Sequence, residues 1–177
     1  MLTTDLNLDN NKNLYSPIDE TKIFKKTKVS SFAEIWECEA TGAKSLHATL
    51  EFLPGDIIRK IEITDYVDKP HYLSVQIEDN KHIMLKPEFL QYINHSCEPN
   101  VFFDTTNMDV VCLKKIKIGE AMTFFYPSTE WSMTQSFDCM CNTDKCIGKI
   151  EGAAYLSTDI ITKYQFNEHI KLKLQNK

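Results

Sequence analysis

The sequence lacks any apolar run long enough to cross a bilayer as a helix. It also lacks the apolar core of a secretion signal, because Met1 to Asn13 is rich in Asn and Asp. Basic residues are not in excess. The net charge of -5 gives no reason to expect direct nucleic-acid binding. An acidic surface suits a basic, lysine-bearing partner instead. No internal repeat occurs, and the only low-complexity stretch is the leader. The expectation is an intracellular protein, cytoplasmic or nuclear, with no membrane partner. Oligomeric state leaves no mark on the sequence.

What is present fits one domain. The 177 residues are 42% hydrophobic and 25% charged, enough for one real core and too few for two large ones. Residues 1–28 read as a polar leader that ends in the basic run Lys22 to Lys28. This leader is expected to be loosely docked, with a substrate-binding arm as the alternative. From Val29 the chain turns β-rich. Strands are expected over Ser31 to Cys38, Lys44 to Thr49 and Ile57 to Thr64, with a turn at Leu53 to Asp56. Tyr72 to Ile77 and His82 to Leu85 predict a hairpin around Glu78 to Lys81, and Pro87 to Gln91 one helical turn. Further strands are expected over Val101 to Asp104, Met108 to Ile116 and Ala121 to Tyr126. The tail changes character. Ser157 and Asn167 each offer an N-cap to a short helix.

Six cysteines remain to be explained: Cys38, Cys97, Cys112, Cys139, Cys141 and Cys146. Without a secretion signal a disulfide framework is not expected. Cys139, Cys141 and Cys146 form C-x-C-x4-C, three thiols on one short polar loop. Zinc takes four thiolate or imidazole ligands in a tetrahedron, so this loop fills three corners. The fourth could come from Cys97, Cys38, Cys112 or a histidine. A closed all-thiol set is a structural site, since it leaves no open position for chemistry.

A second feature stands apart from its surroundings. Asn94-His95-Ser96-Cys97-Glu98-Pro99-Asn100 is polar, yet Ile93 and Val101 on either side read as buried. Polar groups beside a core are costly unless each has a partner. This stretch, the run Gly119-Glu120-Ala121-Met122-Thr123-Phe124-Phe125-Tyr126 and the loop Cys139 to Gly148 together resemble the SET-domain protein lysine methyltransferases. The first matches the family's N-H-S-C-x-P-N signature, the second is similar to G-E-E-L-T-F-D-Y, and the third matches the post-SET cysteine loop. The three occur in the family's order. The run Tyr126 to Trp131, with the tail beyond Ile150, looks like the compact stand-alone members.

The resemblance implies a mostly β SET-domain fold: several small sheets, a knot-like core, a zinc-bound post-SET loop and short C-terminal helices. The divisions are 29–134 for the SET domain, 135–150 for the post-SET loop and 151–177 for a helical tail. It implies transfer of methyl groups from S-adenosylmethionine to a lysine ε-amine in a protein. Tyr126 is the implied catalytic residue and a cofactor contact. Asn94 and His95 are implied cofactor contacts, with the backbone of Lys44, Ser45 and Leu46 lining the same pocket. Phe137 would pack on the adenine or close the lysine channel, with core packing as the alternative. Phe124 implies di- and trimethylation, and Cys97 becomes the fourth ligand of one structural zinc. Cys38 and Cys112 then read as small buried hydrophobes. The sequence departs from the family in three places. Ala43 and Ser45 replace the glycines of its G-x-G, Gln91 stands where an arginine is common, and Phe125 stands where an acidic residue precedes the tyrosine. Transfer to a small amine or peptide, and an inactive SET-like binding module, are the other readings.

Overall fold

A computed structural model describes residues 23–67 and 70–177. The expected leader up to Lys22 lies outside the described residues. Among those residues the strands are β1 (Phe24–Lys28), β2 (Ala33–Cys38), β3 (Lys44–Ala48), β4 (Ile57–Lys60), β5 (Glu62–Val67), β6 (Ser74–Glu78), β7 (Lys81–Lys86), β8 (Asn94–His95), β9 (Val101–Asp104), β10 (Asp109–Cys112), β11 (Thr123–Phe124), β12 (Phe137–Asp138) and β13 (Lys149–Ile150). Two short helices close the chain, α1 (Thr158–Ile161) and α2 (Glu168–Gln175). The strands make five small sheets, ordered β1-β2-β3, β4-β10-β9, β5-β7-β6, β8-β11 and β12-β13. The mostly β architecture expected from the sequence is therefore present. No helix of the described residues is long and apolar enough to cross a membrane.

Several boundaries move, each for a local reason. The basic run assigned to the leader forms the edge strand β1, paired with β2 from Phe24↔Cys38 to Lys28↔Glu34. Trp36 recruits it: the Phe24 ring lies 5.7 Å from the Trp36 ring, and the Lys26 ammonium sits 3.7 Å over it. The single strand expected over Ile57 to Thr64 breaks at buried Ile61, whose N–H bonds Met108 C=O at 2.7 Å. The two halves enter different sheets. The strand expected from Met108 begins one residue later, because Met108 occupies a left-handed turn position at φ 56°. The strand expected to end at Tyr126 stops at Phe124. Tyr126 opens a 3-10 turn, Tyr126–Ser128, with Pro127 supplying a preset φ.

Two cores result. The larger gathers Leu46, Ile83, Leu85, Leu90, Ile93, Val101, Phe103, Val110, Ile116 and Met122, all wholly buried, with Phe124 at its edge. The smaller joins Phe125 to the tail residues Ala153, Leu156, Phe166 and Ile170, with Trp131, Ile147 and Tyr164 packed on it. Phe124 and Phe125 thus face opposite cores, as neighbours on an extended backbone must. The tail crosses the chain at Gly152, where φ is +112° and an added Cβ would lie 2.6 Å from the Trp131 carbonyl oxygen. The adjacent bonds from Ala153 N–H to Glu130 C=O and from Ala154 N–H to Trp131 C=O, both 2.9 Å, fix that crossing.

Candidate functional site

The polar stretch around β8 is fully engaged. β8 runs parallel to β11, with Asn94 opposite Thr123 and His95 opposite Phe124. Asn100 locks the return of the chain: its Nδ2 donates to Ala121 C=O at 2.8 Å, and its Oδ1 accepts from Thr123 N–H at 2.8 Å. Ser96 Oγ accepts from Glu98 N–H at 3.0 Å. Asn94 Nδ2 donates to Lys44 C=O at 2.8 Å and so ties the start of β3 to β8. The polar residues beside the core therefore meet the requirement that buried polar groups find partners.

His95 is buried and faces two ways. Its Nδ1 accepts the Tyr126 N–H at 3.2 Å, which assigns the neutral ring's proton to Nε2. Nε2 lies 3.4 Å from Cys97 Sγ and donates to it. Burial lowers the imidazole pKa to about 3, so the ring is neutral at physiological pH. Around it the aromatic rings gather: His95–Tyr126 centroids are 5.2 Å apart, His95–Phe137 5.8 Å, Tyr126–Phe137 6.0 Å and Phe124–Tyr126 4.7 Å. Burial pushes the Tyr126 phenol well above its ordinary range; a backbone bond to His95 works against this and the Glu130 charge with it. Tyr126 is thus a protonated hydroxyl in an aromatic setting.

On the other side of His95 the sulfurs of Cys97, Cys139, Cys141 and Cys146 all lie within 4.8 Å of one another. Cys97 and Cys139 are 3.8 Å apart. A cation holding four sulfurs at ~2.3 Å in a tetrahedron sets them ~3.8 Å apart, so these residues can hold a metal ion. The buried Cys97 sulfur also receives Ile147 N–H at 3.5 Å. The short β12–β13 ladder clamps the loop, and Asn142 and Gly148 take its left-handed positions at φ 52° and 79°. The Cys139 thiol is pushed up, first by its bond to Cys97 and then by burial. Burial opposes ionisation of Cys141, but bonds from the Thr143 hydroxyl and backbone outweigh it and bring the thiol down to about 6. Crowded thiolates repel one another, and a central cation reverses that penalty. Of the alternative fourth corners, Cys112 donates its S–H to Lys114 C=O at 3.0 Å, and Cys38 is buried in β2. Neither belongs to the cluster.

The remaining expected site residues divide. Lys44 meets β8 through its carbonyl. Leu46 is a wholly buried core residue, and its carbonyl accepts Met122 N–H at 2.8 Å. The Ser45 hydroxyl is 2.9 Å from His47 Nε2, while His47 stacks on Trp36 at 3.9 Å and bonds Gly119 C=O at 2.9 Å. The lost glycines leave no strain, because Gly42 takes the left-handed turn at φ +71° and neither Ala43 nor Ser45 has positive φ. Trp131 packs on the smaller core under the Lys173 ammonium, 5.3 Å away.

Sequence reasoning missed one group. The Glu130 carboxylate accepts Gln76 N–H at 2.8 Å and lies 3.4 Å from His82 Nε2, while Gln76 Oε1 accepts Trp131 N–H at 2.9 Å. This cluster fastens the β5-β7-β6 sheet to the segment after Tyr126. Residues so far apart in sequence carry no joint signal.

Small sheets that bring a tyrosine turn beside an N-H-S-C-E-P-N strand define the SET class of methyltransferase. The chain belongs to that family: the SET domain model matches residues 9–127. It is 36% identical over 125 residues to the methyltransferase flvH of Aspergillus flavus, covering 70% of each chain. It is 27% identical over 112 residues to the histone-lysine N-methyltransferase, H3 lysine-36 specific, of Saccharomyces cerevisiae, covering 55% of this chain and 15% of that protein. Membership in the family implies methylation that depends on S-adenosylmethionine.

Proposed function

We propose that this chain methylates the ε-amine of a lysine in a protein substrate, with Tyr126 as the catalytic residue. The observation that carries the reading is the meeting of Tyr126, His95, Phe124 and Phe137 in one aromatic cluster beside β8. The cluster also fits the cofactor, since aromatic faces attract a cation such as a sulfonium. S-adenosylmethionine supplies the methyl group to be transferred. Lys44, Asn94, Tyr126 and Phe137 would hold it, the first two through the backbone and amide groups that already join β3 to β8. His95 contributes its backbone, because its ring is committed to Tyr126 and Cys97.

An apolar, aromatic surrounding disfavours the lysine ammonium and helps deliver a neutral amine. The Tyr126 hydroxyl, kept protonated by its burial, orients that amine. Alignment of this kind can lower a barrier by about 7–11 kcal/mol. Phe124 beside Tyr126 presents no hydroxyl to hold a water, which supports di- and trimethylation. The four cysteines would hold one structural zinc that ties the loop at 139–146 to the buried Cys97. The net charge of -5 favours a basic, lysine-rich partner over nucleic acid.

Incubation with labelled S-adenosylmethionine and lysine-bearing proteins tests the reading. Label should enter protein as di- and trimethyllysine, and Tyr126→Phe should lose it while binding the cofactor by calorimetry nearly as before. A fully active Tyr126→Phe chain would remove Tyr126 from the chemistry. Transfer to a small amine is the second reading. The name of the 36% relative states no acceptor, and the name of the 27% relative states a histone lysine. Label confined to small molecules would favour this second reading.

A further inference from the structure

The tail lies beyond the matched SET region, which ends at residue 127, yet one of its side chains reaches the centre of the site. Tyr164 Oη donates to the Cys97 carbonyl at 2.8 Å. Its ring stacks on Phe125 at 3.8 Å between centroids and 6° between planes. Both targets are pivotal. Cys97 is wholly buried and supplies one of the four clustered sulfurs. Phe125 precedes Tyr126 directly, and its ring also lies 5.7 Å from His95. Phe125 is also one of the family departures: an apolar ring stands where an acidic residue is usual, and Tyr164 covers that ring.

We infer that Tyr164 is a positioning residue of the transfer site, acting through the Cys97 carbonyl and the Phe125 ring. The inference rests on the proposed roles of Tyr126 and the cysteine cluster. Cys97 is then held at both ends. His95 Nε2 and Ile147 N–H fix its sulfur, and Tyr164 fixes its carbonyl. Phe125 stacks on the Tyr164 ring and also contacts the His95 ring, so the backbone that delivers Tyr126 has little freedom to rotate. Removing the hydroxyl leaves a buried carbonyl without its donor and loosens one corner of the metal cluster. The tail thereby becomes a working part of the site instead of an appendage.

The experiment compares Tyr164→Phe, which keeps the stack and removes the donor, with Tyr164→Leu, which removes both. Ile170→Val is the control: it trims a methyl from the same small core and leaves the Cys97 bond intact. Zinc release to a chromophoric chelator at 25 °C and the kcat and KM of methyl transfer are the readouts. Tyr164→Phe should release zinc about tenfold faster than wild type, the effect of one buried group left unpaired. Its kcat should fall more than its cofactor KM rises, and Tyr164→Leu should exceed it in both. Ile170→Val should match wild type in both readouts even where its Tm falls as far. Tyr164→Phe and Tyr164→Leu that track Ile170→Val at equal Tm would overturn the inference and leave the proposed function standing. A wild-type chain that binds no zinc and transfers no methyl would overturn the proposed function and, with it, the inference.

Discussion

Replacing Asn167 by Leu should destabilise the whole fold, and the structure gives the size of the effect. Asn167 occupies the N-cap position of α2, but its side chain makes no cap bond. It reaches instead to β9, the edge strand of its sheet. Its Oδ1 accepts Thr105 N–H at 2.8 Å, and its Nδ2 donates to Phe103 C=O at 2.8 Å and Ser128 C=O at 3.0 Å. The amide thus pairs with the free edge of β9 as another strand's peptide group would. Leucine has a similar volume, so the substitution opens no large cavity. Ser128 C=O keeps the Asn167 backbone N–H at 3.0 Å. Thr105 N–H and Phe103 C=O are left buried and unpaired, at about 1–3 kcal/mol each, or about 2–6 kcal/mol together. Against a typical total of about 5–15 kcal/mol this is a large fraction. For a chain of this size it corresponds to a Tm lowered by roughly 10 °C. Urea denaturation of the metal-loaded protein measures it as a lower midpoint at unchanged slope. A loss below about 1 kcal/mol would refute the role of the Asn167 amide in joining the tail to β9.

Two further outcomes follow. Cys141→Ser should lower bound zinc from one ion per chain towards none by elemental analysis, and the loop at 139–146 should become sensitive to limited proteolysis; a wild-type protein purified without any metal would exclude the four-cysteine site. Acidification should destabilise the protein through His95, His47 and His169, whose pKa values burial lowers; for His47 and His169 their bonds to the Gly119 and Thr129 carbonyls work against it. The unfolded chain takes up a proton near about pH 6.5 where these folded rings do not, so stability declines as pH falls through that value. Tm should be lower at pH 5.5 than at pH 7.5, and His47→Gln should flatten the dependence; an unchanged slope would refute the assignment to His47.

The local sequence determined the elements wherever short-range physics decides. Short apolar runs bounded by turn residues placed β2, β3 and the β6–β7 hairpin, although their burial does not follow a strict period of two. The crowding of Cys139, Cys141 and Cys146 marked a loop that can hold a metal ion, and the polar stretch at 94–100 stood out against its apolar flanks. Tertiary structure decided what those residues touch. Spacing alone left four kinds of partner open for the cysteine loop, the family resemblance implied Cys97, and the fold brings Cys97 to 3.8 Å from Cys139. The resemblance implies His95 as a cofactor contact, and the fold sets its ring between the Tyr126 N–H and the Cys97 sulfur. Asn167 reads as a helix cap, yet an unpaired strand edge claimed its amide. Phe24 and Lys26 read as leader until Trp36 offered them a surface. The reason is common to all of these. A backbone preference acts over a few residues and is written locally, whereas a buried polar group takes whichever partner the packed chain brings within about 3 Å.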